Sequence, residues 1–193
     1  MLRTDQDSGW QNNRKTKVIL FSGKAGTGKT TCANILKRLI EHDFLLVDID
    51  SFAKGVKFEA KAQGWNGEKD AVGRKLLQDV GRIGRERDPN TWVNQVIDRS
   101  MHPIPKDAVI VDDWRYPNEL NRLRNNKLFQ VISVRINCPD KEILSGTAEA
   151  NDSSETALPT ENDTSTYDFF IDNSGSLEDL EQELLVVMEA VIK

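Results

Sequence analysis

Residues 23–30, Gly23-Lys24-Ala25-Gly26-Thr27-Gly28-Lys29-Thr30, fit the spacing G-x-x-x-x-G-K-[ST] in full. No other stretch limits the fold as much, because this pattern works only in one setting. Its glycines let the backbone curl until successive N–H groups converge on one anion. A helix starting at the loop's end adds its N-terminal dipole and unpaired donors. A strand must therefore lead in and a helix must lead out. Lys17-Val18-Ile19-Leu20-Phe21 is a run of β-formers suited to a buried strand. Cys32, Ile35, Leu36, Leu39 and Ile40 then fall at helical spacing. In this setting Lys29 is expected to bridge β- and γ-phosphates and Thr30 to ligate Mg²⁺. Gly23, Ala25, Gly26, Thr27, Gly28 and Thr31 complete the cradle for ATP or GTP. The competing possibility is a glycine-rich turn that holds no ligand.

The rest of the chain continues the alternation. Strands are expected at 44–47, 108–111, 128–136 and 167–171. Helices are expected at 51–63, 69–86, from Asn90 or Thr91 to Met101, from Pro117 to about Asn126, and after Ser176. Pro117 suits a first helical turn. Ser176 with Asp179 has the spacing of a capping box. Strands alternating with helices predict an α/β fold with a five-stranded, mainly parallel sheet and helices on both faces. Ligands in such sheets bind beyond the carboxyl ends of the strands. Residues 1–15 read as a disordered tail and 16–193 as one domain. Residues 137–166 are polar and acidic, the composition of a long functional loop.

Charge is unevenly placed. Residues 137–193 hold 14 acids and two bases, whereas residues 1–136 hold 17 acids and 24 bases. A basic first part suits an anionic ligand, although chance segregation of charged helix faces gives the same count. Only Cys32 and Cys138 are present, and one lies in the phosphate-loop pattern, which points to a reducing, cytoplasmic setting rather than a disulfide framework. The two histidines lack ligand or triad spacing. No apolar run approaches the ~18 residues of a membrane span, and the polar N-terminus lacks a secretory h-region.

The stretch Val109-Ile110-Val111-Asp112-Asp113-Trp114-Arg115 supplies the second half of a phosphate site. An apolar strand ending in a carboxylate places an acid beside Mg²⁺, and Asp113 is assigned that place. Arg115 offers a planar fork for phosphate oxygens, unless it pairs at the surface with Glu119.

Several motifs in order then carry a resemblance. Asp113-Trp114-Arg115-Tyr116-Pro117-Asn118-Glu119 is similar to the D-V-R-F-P-N-E motif of bacteriophage-type deoxynucleoside monophosphate kinases. Ser51-Phe52-Ala53-Lys54-Gly55-Val56-Lys57 resembles their S-F-A-D-P-L-K segment. Leu76-Leu77-Gln78-Asp79-Val80-Gly81, Arg85 and Asp88-Pro89-Asn90-Thr91-Trp92-Val93 resemble their L-L-Q-x-x-G…R…D-P-x-x-W-V block. Ser154-Glu155-Thr156-Ala157-Leu158 and Tyr167–Asn173 resemble their S-E-x-x-L and Y-D-x-x-I-D-N segments.

The resemblance implies an adenylate-kinase-like P-loop kinase fold, with an acceptor-binding helical region at about 51–101 and a lid at about 137–166. It implies ATP, Mg²⁺ and transfer of the γ-phosphoryl to a (deoxy)nucleoside monophosphate. Ser51, Phe52, Lys57, Arg74, Gln78, Arg85, Trp92 and Arg115 would then bind the acceptor. Lys29, Arg85, Asp113 and Arg115 would carry the chemistry, Thr30 and Asp113 the metal, and Asn173 would lie near the ATP base.

One departure stands out, since 137–166 contains Lys141 against seven acids, whereas lids of this kind bring arginines to the phosphates. For Phe52 and Trp92, core packing competes with base stacking. Another acceptor, such as a modified deoxynucleotide, a nucleotide in DNA or a small metabolite, remains open, as does a non-kinase nucleotide-binding module. A net charge of −5 does not favour stable nucleic-acid binding.

Overall fold

A computed structural model describes residues 15–138, 157–159 and 165–193. The expected tail at 1–15 therefore lies outside the described residues but for Lys15, and so does most of the expected lid at 137–166. The strands are β1 (Thr16–Ser22), β2 (Val47–Asp50), β3 (Ala108–Val111), β4 (Phe129–Asn137) and β5 (Phe169–Asp172). The helices are α1 (Lys29–Ile40), α2 (Ala53–Ala62), α3 (Ala71–Arg87), α4 (Thr91–Met101), α5 (Pro117–Arg124) and α6 (Leu177–Ile192). The strands form one sheet of order β2-β3-β1-β4-β5, and every pairing is parallel.

Period-two alternation along each strand divides the core into two layers. Ile19 and Phe21 of β1, Ala108 and Ile110 of β3, and Ile132, Val134 and Ile136 of β4 pack with Cys32, Leu36 and Ile40 of α1 and Leu180, Leu184 and Val187 of α6. Val18, Leu20, Val109 and Val111 face the other way, against Val93 and Val96 of α4 and Leu120 and Leu123 of α5. β1 is buried along its whole length, as a central parallel strand must be. Ser176 caps α6, its Oγ accepting from the Asp179 N–H while Asp179 accepts from the Ser176 N–H.

One strand lies elsewhere than the apolar run 44–47 predicts. Phe44 is buried at the end of α1, its N–H bonded to the Ile40 carbonyl, and Leu45 is 96 % exposed. The strand is instead Val47-Asp48-Ile49-Asp50. It is an edge strand with its apolar residues on one face, so it carries charge where a central strand could not. Asp50 ends it, held by Arg99 Nε at 2.7 Å and by the Ser51 N–H at 2.9 Å.

Candidate active site

The phosphate loop joins β1 to α1 at the carboxyl edge of the sheet. Gly26 and Gly28 have φ of 87° and 88°, the left-handed region where a side chain would be strained. Gly23 is needed for a second reason. A Cβ there would come within 2.6 Å of the Ile136 carbonyl oxygen and 2.7 Å of Thr27 Oγ1. Thr27 Oγ1 donates to the Lys24 carbonyl at 2.9 Å, and Lys29 Nζ donates to the Gly23 and Lys24 carbonyls at 2.8 and 2.7 Å. Ala25 lies in the turn, and Thr31 is exposed in the first turn of α1.

Asn173, expected near the ATP base, braces this loop from behind. Its Nδ2 donates to the Thr27 carbonyl at 3.0 Å, and a Cβ on Gly28 would collide with it. Its own backbone is tied down by the Asn137 carbonyl and by the Cys138 thiol, which donates to the Asn173 carbonyl at 2.9 Å. Cys32 and Cys138 are both buried and free, and burial pushes the Cys32 thiol up to about 12.

Beyond β3 the two successive carboxylates part. Asp112 continues the face of Ala108 and Ile110, toward α1, and accepts from Thr30 Oγ1 at 2.6 Å. Asp113 continues the face of Val109 and Val111, toward α2, and accepts from the Phe52 and Ala53 N–H groups at 2.8 and 2.9 Å. The carboxylate beside the expected metal ligand Thr30 is therefore that of Asp112. Asp113, expected to ligate the metal, lies on the opposite face, turned there by the alternation of the strand. Thr30 and Asp112 offer one hydroxyl and one carboxylate oxygen. That donor set fits Mg²⁺, which usually takes one or two carboxylates and completes its shell with water and phosphate. Among the described residues no cluster of three or more His, Cys, Asp or Glu forms an all-protein metal site.

A cleft of about 940 Å³ opens from Lys29 and Thr30 toward α2 and α3. Ser51, Phe52, Lys57, Arg74, Gln78, Arg85, Trp92, Asp113 and Arg115 all line it. α3 runs unbroken through Gly81 and Gly84, which brings Arg74 and Arg85 to the same cleft. Trp92 and Phe52 are 3 % and 4 % exposed. The Trp92 indole N–H donates to the Gly81 carbonyl at 3.0 Å, and a Cβ on Gly84 would overlap its ring. Packing thus describes Trp92, and Gly84 leaves the room its ring occupies.

Three groups in the wall were not singled out as site residues by sequence. Tyr116 lies under Arg85, whose guanidinium carbon is 4.4 Å from the ring centroid. Glu119 is buried and accepts from the Arg115 and Tyr116 N–H groups, both at 3.0 Å, so it fixes the turn that aims Arg115. Burial raises its carboxyl to about 8, against the opposing pull of those two N–H bonds, with Asp113 adding to the rise. Burial likewise raises Asp113 to about 6. The third, Asp112, was hidden by its neighbour of the same chemistry.

Fold and loop together define a P-loop α/β architecture, a parallel sheet whose central strand feeds a phosphate loop and helix. Solved structures of similar shape include a sugar kinase from Janibacter sp. HTCC2649, with TM-score 0.53 and 16% identity, covering 92% of this chain and 98% of that one. Kti12 from Chaetomium thermophilum in complex with ADP-AlF3 also has TM-score 0.53 and 16% identity, covering 90% and 98%. These likenesses show the fold, a parallel sheet flanked by helices. In sequence, the chain is 29% identical over 147 residues to the uncharacterized protein ORF77 of Ictalurid herpesvirus 1 (strain Auburn). That match spans 75% of this chain and 60% of the viral protein. No protein-family model matches the chain. Among the described residues no helix is long and apolar enough to cross a membrane.

Proposed function

We propose that this chain is an ATP-dependent (deoxy)nucleoside monophosphate kinase. One observation carries the reading. The residues that the sequence resemblance assigns to an acceptor, drawn from α2, α3, α4 and the β3–α5 turn, line a single cleft that begins at the phosphate loop. An acceptor phosphate held by Arg85 and Arg115 would face the γ-phosphate cradled at Lys29. Phosphoryl transfer asks for little more than that alignment and neutral surroundings for the equatorial oxygens.

In this reading Lys29 neutralises β- and γ-oxygens, and Thr30 with Asp112 would hold Mg²⁺, which would supply stabilisation of the developing charge. Arg115 and Arg85 clamp the transferring group from the acceptor side. Asp113 fixes the N-terminus of α2 and so the positions of Ser51 and Phe52. Lys57, Arg74 and Gln78 border the outer cleft, where the sugar and base would lie. The products are ADP and a (deoxy)nucleoside diphosphate.

A coupled ADP-release assay with Mg²⁺ and a panel of ribo- and deoxymononucleotides tests this. The expected result is turnover that depends on one or a few mononucleotides. ATP hydrolysis independent of all of them would point to a non-kinase NTPase. A second acceptor class has one observation in its favour, the seven acids against one lysine in residues 137–166. Silence with every free mononucleotide, coupled to turnover with a small metabolite, would select that reading.

A further inference from the structure

Two buried polar atoms lack a hydrogen-bond partner among the described residues, Ser22 Oγ and Arg135 Nε. They are neighbours. The β1–β4 register sets Ser22 opposite Arg135, and alternation points both to the face of Val18 and Leu20. Ser22 is fully buried and Arg135 is 7 % exposed. The contact described for the Arg135 guanidinium is with the Tyr167 ring, 5.9 Å from its centroid. Asp168, the next residue, is committed to the Ser133 N–H and hydroxyl and to Arg124.

An arginine does not shed its proton, so Arg135 carries a charge that has no counter-ion among the described residues, and its buried Nε has no hydrogen-bond partner there. Such a charge is costly to keep, and its presence calls for an explanation other than stability. Its place supplies one. Ser22 is followed by Gly23, the first residue of the phosphate loop, and Ile136, which follows Arg135, has its carbonyl oxygen packed against Gly23. The end of β4 therefore runs along the base of the loop.

We infer that Arg135 and Ser22 form an anion subsite that takes oxygens of the terminal phosphates of the nucleoside triphosphate bound at the loop. The guanidinium fork matches phosphate oxygens, and Tyr167 supports its flat face. The subsite supplies, from a strand, a cation that the acidic composition of 137–166 does not provide. The inference rests on the reading of the cleft as a phosphotransfer site.

The test compares wild type with Arg135→Met, which keeps length and removes charge, and with Arg135→Lys, which keeps charge and loses the fork. Thermal unfolding is measured without ligand and with AMPPNP, ADP or inorganic phosphate, each with Mg²⁺. kcat and KM are measured with the active acceptor. Arg135→Met should unfold at or above the wild-type temperature without ligand. It should bind AMPPNP at least tenfold more weakly, with a smaller loss for ADP, and lose at least 100-fold in kcat. Arg135→Lys should fall between. A loss confined to inorganic phosphate would overturn the assignment to the nucleotide. A lower unfolding temperature with AMPPNP affinity and kcat within twofold of wild type would make Arg135 a packing residue. Should Arg135→Met not fold, wild-type AMPPNP affinity and kcat in Arg135→Lys overturn the inference. If wild type binds AMPPNP but turns over no mononucleotide, the acceptor reading fails, while the affinities alone still decide Arg135.

Discussion

Arg115 is placed by a chain of short contacts rather than by its own preference. Glu119 pins its backbone N–H at 3.0 Å, and Pro117 starts the helix that holds Glu119. A clamp fixed in advance stabilises developing charge without reorganising at the moment of transfer. Arg115→Ala should therefore lower kcat by about 10²–10³-fold, the range for losing one such preorganised donor. Near-normal turnover in the coupled assay would remove Arg115 from the chemistry.

The pair Asp112 and Asp113 separates in the same way. Asp112→Asn should raise the Mg²⁺ concentration for half-maximal activity by about 10-fold or more, because it touches Thr30. Asp113→Asn should instead raise the acceptor KM, because it anchors the start of α2. The reverse pattern would restore Asp113 as the metal ligand. Sequence alone could not choose between adjacent aspartates. Only the end of β3 at Val111 decides which one follows which face.

Glu119 also carries a pH signature. Its folded carboxyl is raised to about 8 and that of Asp113 to about 6, against ordinary values of 4.5 and 3.8. Between the unfolded and folded values the native state binds more protons than the unfolded chain. Stability must then fall as pH rises through that window. The unfolding temperature of the wild type should decline from about pH 5 to pH 8, and Glu119→Gln should flatten the decline. An identical pH profile in the variant would deny Glu119 this part.

At the level of elements, α3 and α4 approach each other through glycine. Gly84 faces the Trp92 ring and Gly81 receives its N–H. The rotation of α4 against α3, and with it the position of Arg85 in the cleft wall, depends on that contact. Gly84→Ala forces the ring or the helix aside and should cost about 1–3 kcal/mol, as overpacking of a filled interior does. Differential scanning calorimetry should show the drop, and the acceptor KM should rise with it. An unchanged unfolding temperature would mean that the interface yields freely.

Here sequence reading had mixed success for physical reasons. β1, β3 and the start of α6 were legible because buried strands are uniformly apolar and caps have fixed spacing. The continuity of α3 was legible from its pattern over 69–86, but the reason for Gly84 was not, since only a tryptophan on another helix explains it. β2 was misplaced because an edge strand tolerates Asp48 and Asp50, whereas the more apolar Phe44–Val47 run serves a helix end and a turn.

Over the whole molecule, the division of charge acquires a location. Seven cations line the cleft: Lys29, Lys57, Lys69, Arg74, Arg82, Arg85 and Arg115. Five acids line it too, but they do not cancel them. Asp79 and Glu86 are paired with Arg82, and burial holds Glu119 toward its neutral form, which leaves Asp112 and Asp113 against the remaining cations. The acids of α6, by contrast, lie on the helix that covers the opposite face of the sheet. The protein of net charge −5 thus presents a basic mouth at this cleft. Composition revealed the split but not its use, because the cleft is assembled from residues 29 to 119 by three crossovers of the sheet.

A basic, low-dielectric cleft focuses its field outward and raises the encounter rate of anions, an effect that salt screens over about 8–10 Å. kcat/KM for the acceptor should therefore fall steadily as ionic strength rises from about 0.05 to 0.3 M, while kcat stays nearly constant. Arg74→Gln removes an exposed cation at the outer cleft and should flatten that slope without changing kcat. Its backbone-facing Nε bond to the Lys69 carbonyl, 2.8 Å long, can be kept in kind by the glutamine amide. If the slope is the same in both proteins, the attraction comes from the cations nearer the phosphate loop, and the outer arginine serves only the fold of α3.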